Sequence, residues 1–175
     1  MDWYDTVFEL IDMRSFSNLW FWIALAVTWS SASHWVLGVP WDMAIRARKG
    51  QNAQAMTDFE DMMRININRL LYLVQESGLL MAGITAFLMT TLVLLGFVYD
   101  SEFAQALFLL GFPLLLVWGL SIRLAQRIAS RGWTGVALIK RVQTHRLVIQ
   151  VIGMLSIFVT AMWGMYQNMN ANILG

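Results

Sequence analysis

The chain has 175 residues, of which 58% are hydrophobic, 13% aromatic and 13% charged, and its mean hydropathy is +0.58. Soluble domains carry about 25% charged residues, so lipid must replace water over much of this surface; a formal net charge of +1 gives no global attraction to nucleic acid. With no cysteine and two histidines, disulfides, thiol nucleophiles and cysteine-ligated metal centres are excluded.

Residues Met1 to Asp12 read as an amphipathic helix, with Trp3, Val7, Leu10 and Ile11 on one face and Asp5, Glu9 and Asp12 on the other. Residues 1–14 are thus expected to form an outer-surface segment, its acidic face favouring protein contact over anionic lipid. From Ser15 to Trp41 no Asp, Glu, Lys or Arg occurs, and about 20 helical residues suffice to cross the hydrocarbon. The first span is placed at about 16–39 and must be helical, because lipid offers the backbone no hydrogen-bond partners. It follows an acidic segment, outruns the apolar core of a signal peptide and lacks a small-x-small exit, so it is expected to remain as an anchor. Trp29 near its middle reads as a helix contact. His34 is the sole residue in the hydrocarbon zones capable of chemistry, about 10 Å inside the inner boundary at 1.5 Å per residue.

The segment 42–76 divides at Gly50, and Thr57 with Glu60 three residues on forms a capping-box pattern for a helix running into the second span, 77–99. Along it Phe59, Met62, Met63, Ile67, Leu70, Leu71 and Val74 make an apolar stripe opposite Asp61, Arg64, Asn68 and Gln75. Such a stripe needs cover, either from the protein's own basic loop or from another subunit. The turn Asp100-Ser101-Glu102 leads to the third span, 103–122, in which Pro113 is expected to produce a kink.

The segment 123–146 reads as a helical extension, a break at Arg131-Gly132-Trp133-Thr134-Gly135 and a returning helix into the fourth span, 147–167. Arg123, Arg127 and Arg131 recur every four residues and share a face; Lys140, Arg141, His145 and Arg146 lie on the returning helix. These six cations read as a positive-inside determinant touching anionic headgroups, or as a surface for an acidic protein partner; no RNA-binding motif accompanies them. Small residues line helix faces at Gly153, Ser156, Thr160 and Gly164 and at Gly78, Ala82 and Ala86, which suits packing within the bundle or, less simply, an oligomer seam.

Orientation follows from the charges. Residues 1–14 and the Asp100–Glu102 turn are acidic, whereas 11 of the 12 Lys and Arg fall in 42–76 and 123–146. The positive-inside rule places those two loops in the cytoplasm. The expected fold is an all-α integral membrane protein, a four-helix bundle with both termini outside, periplasmic in a bacterial inner membrane, and helical cytoplasmic extensions. Trp20, Trp22, Tyr99, Trp163 and Tyr166 toward the outer ends, with Trp35, Trp41, Trp118 and Trp133 toward the inner ends, match interfacial belts.

No nucleotide loop, zincin helix, hydrolase elbow or paired-carboxylate motif is present, and the spans hold no acid or base besides His34, which disfavours an autonomous transporter. His34 and His145 fall near one membrane level and are candidate axial ligands of a b-type haem; the plainer reading is a neutral His34 bonded to a neighbouring helix. The runs from Met1 to Trp20, Ala32 to Pro40 and Phe158 to Asn168 resemble small alphaproteobacterial membrane proteins catalogued as "component of SufBCD complex". The resemblance extends over nearly the whole chain and carries no catalytic motif. It implies association with iron–sulfur cluster assembly, where a cysteine-free chain would serve as a membrane-side partner. The expectation is a non-catalytic accessory or assembly subunit with no cofactor, contacting membrane lipid and a protein partner or a second copy; a haem-binding electron-transfer subunit is the alternative.

Overall fold

The computed structural model describes residues 15–50 and 53–173; the amphipathic helix expected at 1–14 lies outside them. A 3-10 turn at Ser15–Ser17 precedes α1 (Leu19–His34), a hairpin of β1 (Trp35–Val36) and β2 (Val39–Pro40), and α2 (Trp41–Arg48). Then come α3 (Ala53–Val93), a π-helical turn at Leu94–Val98, α4 (Glu102–Arg131) and α5 (Gly135–Ile173). Among the described residues three helices are long and apolar enough to cross a membrane, at Ala53–Val98, Glu102–Arg131 and Gly135–Met169.

The first charge-free stretch differs from expectation. Its helix stops at His34 instead of running to residue 39, leaving α1 with 16 residues, about 24 Å at 1.5 Å per residue. Pro40 disfavours helical geometry at Val39, and Leu37 and Gly38 take φ values of 52° and 74°, the two consecutive positive values of a tight hairpin turn. Trp35 pairs with Pro40 and Val36 with Val39. Leu37 bears a left-handed cost of about 1–2 kcal/mol, offset by packing against the core below. Asn66 Nδ2 donates to the Gly38 carbonyl at 3.2 Å, pinning the hairpin to α3.

The larger core lies at the basic end. Phe59, Met63 and Ile67 of α3 are buried against Ala125 and Ile128 of α4, Leu138, Ile139 and Val142 of α5, Ala44 and Ala47 of α2, and the hairpin's Val36 and Val39. Phe59, Met63 and Ile67 of the apolar stripe are therefore covered by the chain itself, with Leu70 and Leu71 packed alongside and the basic loop supplying much of the cover, whereas Met62 is exposed. The break at residues 131–135 is also present: α4 ends at Arg131, Gly132 takes a left-handed φ of 60° as its cap, and α5 begins at Gly135. Glu60 differs from its predicted role. The helix starts at Ala53, Thr57 Oγ1 bonds back to the Ala53 carbonyl, and the Glu60 carboxylate accepts from the Gly135 amide. It satisfies the first turn of α5, where the helix dipole favours negative charge.

A smaller core joins α1, α4 and α5 through Leu25, Trp29, Val117 and Ile149. All four residues of the small stripe on α5 are buried. A Cβ at Gly153 would stand 2.8 Å from the Trp29 ring and one at Gly164 would stand 3.2 Å from Phe16, so these glycines set how closely α1 and the turn before it approach. Pro113 cannot donate to the Leu109 carbonyl; Ser156 Oγ reaches that oxygen across the helix interface at 3.4 Å. The stripe on α3 behaves differently. Ala82 and Ala86 are exposed, a Cβ at Gly83 would meet nothing within 4 Å, and an 18-residue apolar window of this helix has no buried residue.

Candidate functional site

Five of the six candidate cations form an exposed face on the helix–break–helix of α4 and α5. Arg123, Arg127, Arg131, Lys140 and Arg141 are all exposed. Trp133, held in the break by the left-handed glycines on either side, lies between two of them: the guanidinium of Arg131 is 5.3 Å from its ring and that of Arg141 is 4.7 Å. Each contact contributes about 0.5–1 kcal/mol at an exposed site and splays the two guanidinium groups around one aromatic pivot. Among the described residues none of these five cations has an ion-pair partner; the ion pairs present are Arg46–Asp42 and Arg64–Asp61, each at 2.9 Å. The face therefore presents uncompensated positive charge beside an aromatic ring, chemistry suited to anionic headgroups or carboxylates.

Arg146 departs from that face. It is half-buried, its Nε donates to the Ser33 carbonyl at 2.9 Å, and its guanidinium lies 4.7 Å from the Trp41 ring. The last carbonyls of α1 lack intrahelical donors, so this arginine caps α1 and ties it to α5. Its role is in packing.

The two histidines face different partners. His145 is buried, with Nε2 2.9 Å from Ser121 Oγ. Ser121 Oγ also lies 2.8 Å from the Val117 carbonyl, so Nε2 of His145 is engaged in a hydrogen-bonded chain between α5 and α4. His34 is exposed at the last residue of α1 and meets Trp35 edge-on, ring centroids 5.9 Å apart. A bis-histidine haem needs a free ring nitrogen from each, both aimed at one iron. With Nε2 of His145 turned to Ser121, the residues as placed do not fit that group. Among the described residues no three His, Asp or Glu side chains gather into a metal cluster.

One polar cluster escaped sequence reasoning. Gln105, 1% exposed, accepts at Oε1 from Trp163 Nε1 at 2.9 Å and Gln167 Nε2 at 2.7 Å, and donates from Nε2 to the Gly96 carbonyl at 2.7 Å. The π-turn makes that carbonyl available by interrupting the regular ladder. A glycine suits position 96, since a Cβ there would stand 3.0 Å from the Gln105 backbone nitrogen. The signals in the sequence were an amide three residues into an otherwise apolar span, and Trp163 and Gln167 one helical turn apart. The arrangement locks the acidic ends of α3, α4 and α5 together.

No protein-family model, curated protein or solved structure matches the chain.

Proposed function

We propose that this protein is a non-catalytic accessory or assembly subunit of a larger bacterial inner-membrane complex, crossing the bilayer four times with both termini periplasmic. The observation that carries the reading is the bare membrane half of α3. Leu79, Leu80, Ile84 and Phe87 are exposed, alongside Ala82, Gly83 and Ala86, which would let another helix approach closely. The basic end, by contrast, is packed into a core and presents its five cations outward. The four-span count is supported by α1, whose Leu25 and Trp29 pack between α4 and α5 and whose residues 19–34 carry no Asp, Glu, Lys or Arg. The resemblance noted above makes cytoplasmic iron–sulfur cluster assembly the first process to test, with this chain as the membrane-side partner.

The test is affinity purification from mildly solubilised membranes of a strain tagged at the native locus, after crosslinking, with quantitative mass spectrometry against an untagged control. A stoichiometric partner, crosslinked through single cysteines at Leu79 or Phe87, is the expected result. Recovery of the chain alone, with no crosslink from either position, overturns the subunit reading.

A further inference from the structure

A cavity of about 410 Å³ opens between the hairpin, α3 and α4. Its wall is divided by chemistry. At one end stand Asn66 and Arg69, with Trp35 on the hairpin; at the other stand Leu73, Leu114 and Trp118. Leu114 lies eight residues before Ile122, about 12 Å further along α4 at 1.5 Å per residue, so the cavity runs from the aqueous boundary into the apolar zone of the spans.

Charge narrows the occupant. No carboxylate lines the cavity. Among the described residues Arg69 makes no ion pair or hydrogen bond, and the indole N–H groups of Trp35 and Trp118 have no acceptor. Asn66 already gives its Nδ2 to the Gly38 carbonyl. What the polar end offers is a cation and the indole N–H of Trp35, and what the deep end offers is largely hydrocarbon, with the indole N–H of Trp118 partway along it. An anionic head with an attached acyl chain matches both; a free anion would use only the first, and an apolar helix only the second. Arg69 also lies on α3, apart from the five cations of the α4–α5 face.

We propose that this cavity is a binding site for one anionic glycerophospholipid of the inner leaflet, its phosphate at Arg69 and one acyl chain along Leu73 and Leu114. The site does not depend on the subunit reading. The test is native mass spectrometry of the purified full-length chain, delipidated in detergent and titrated with phosphatidylglycerol or with phosphatidylcholine of the same acyl chains. The expected preference for the anionic lipid is about fivefold, the share that one arginine near a membrane surface supplies. Arg69→Gln is expected to abolish the preference, Leu73→Trp to reduce retention of both lipids by filling the deep end, and Arg127→Gln to change neither. Chainless glycerophosphoglycerol is expected not to displace the bound lipid. Equal preference in the wild type and Arg69→Gln, equal loss in Arg127→Gln, or full displacement by the chainless head overturns the proposal. Circular dichroism and gel filtration of each variant separate lost binding from lost folding.

Discussion

Gln105 shows how a single buried side chain can hold three helices together. Replacing it by leucine would remove the partner of Trp163 Nε1, Gln167 Nε2 and the Gly96 carbonyl at once. Leaving a buried donor or acceptor unpaired costs about 1–3 kcal/mol, while hydrogen bonds within membranes average nearer 0.6 kcal/mol because the unfolded chain finds substitutes. Gln105→Leu is therefore expected to lower stability by about 2 kcal/mol, read from the midpoint of denaturant unfolding in detergent. The glycines separate by the same logic. At Gly153 an added methyl would press on the Trp29 ring at 2.8 Å, whereas at Gly83 it would meet nothing within 4 Å. Gly153→Ala is expected to cost about 1–3 kcal/mol through forced repacking. Gly83→Ala is expected to be neutral or to add up to about 1 kcal/mol through helix propensity alone. Equal unfolding midpoints for the two variants would contradict the packing described. The sequence marked Gly153 as part of a small stripe but could not distinguish it from the Gly78, Ala82 and Ala86 stripe, because spacing specifies a face and not the presence of a neighbour.

At the scale of elements, legibility followed periodicity. The stripe from Phe59 to Ile67 and the break at Gly132 were readable because each is a local pattern, 3.6-residue spacing in one and a left-handed cap in the other. The hairpin at residues 35–40 was not, since a run free of charge reads the same in a helix and in a strand; only Gly38 and Pro40 hinted at it. The capping-box pattern at Thr57 and Glu60 misled for another reason. A carboxylate near one helix start can serve a different helix, and Glu60 reaches Gly135, 75 positions away in the chain. This contact bridges α3 to the start of α5 beside the larger core. Glu60→Ala is expected to destabilise by about 1 kcal/mol, the usual value of a lost helix cap, with Glu60→Gln retaining most of it because an amide oxygen still accepts. If amide exchange at the first turn of α5 is unchanged in Glu60→Ala, the cap is not what orders that turn. The candidate histidine pair illustrates the remaining gap: equal membrane level can be counted along the sequence, but the Ser121 partner of His145 depends on how α4 and α5 face each other.

For the whole molecule, the two ends differ in construction as well as charge. The basic end carries the larger core, built from five elements, with five cations free of ion pairs on its α4–α5 face, while the acidic end is closed by the Gln105 cluster. This polarity favours one insertion, because clustered Lys and Arg near span ends resist translocation and acidic residues contribute little. The absence of cysteine makes the orientation directly measurable. A single cysteine at Ser101, in the turn between the π-turn and α4, and another at Ser130, exposed near the end of α4, stand at opposite ends of a 30-residue helix, about 45 Å long by the α-helical rise. With the basic end in the cytoplasm, a membrane-impermeant maleimide is expected to label Ser101→Cys in intact spheroplasts and Ser130→Cys only after lysis. Reversing Arg123, Arg127 and Arg131 to glutamate would remove half of the six cations of segment 123–146 without replacing a side chain of either core. In that background, if charge sets the orientation, Ser130→Cys becomes reactive from outside in a fraction of the molecules. If labelling instead stays as in the parent, the orientation is fixed by the earlier segments, whose five bases are balanced by five acids between residues 42 and 76, and the exposed arginines are left free to serve contact with headgroups or a partner.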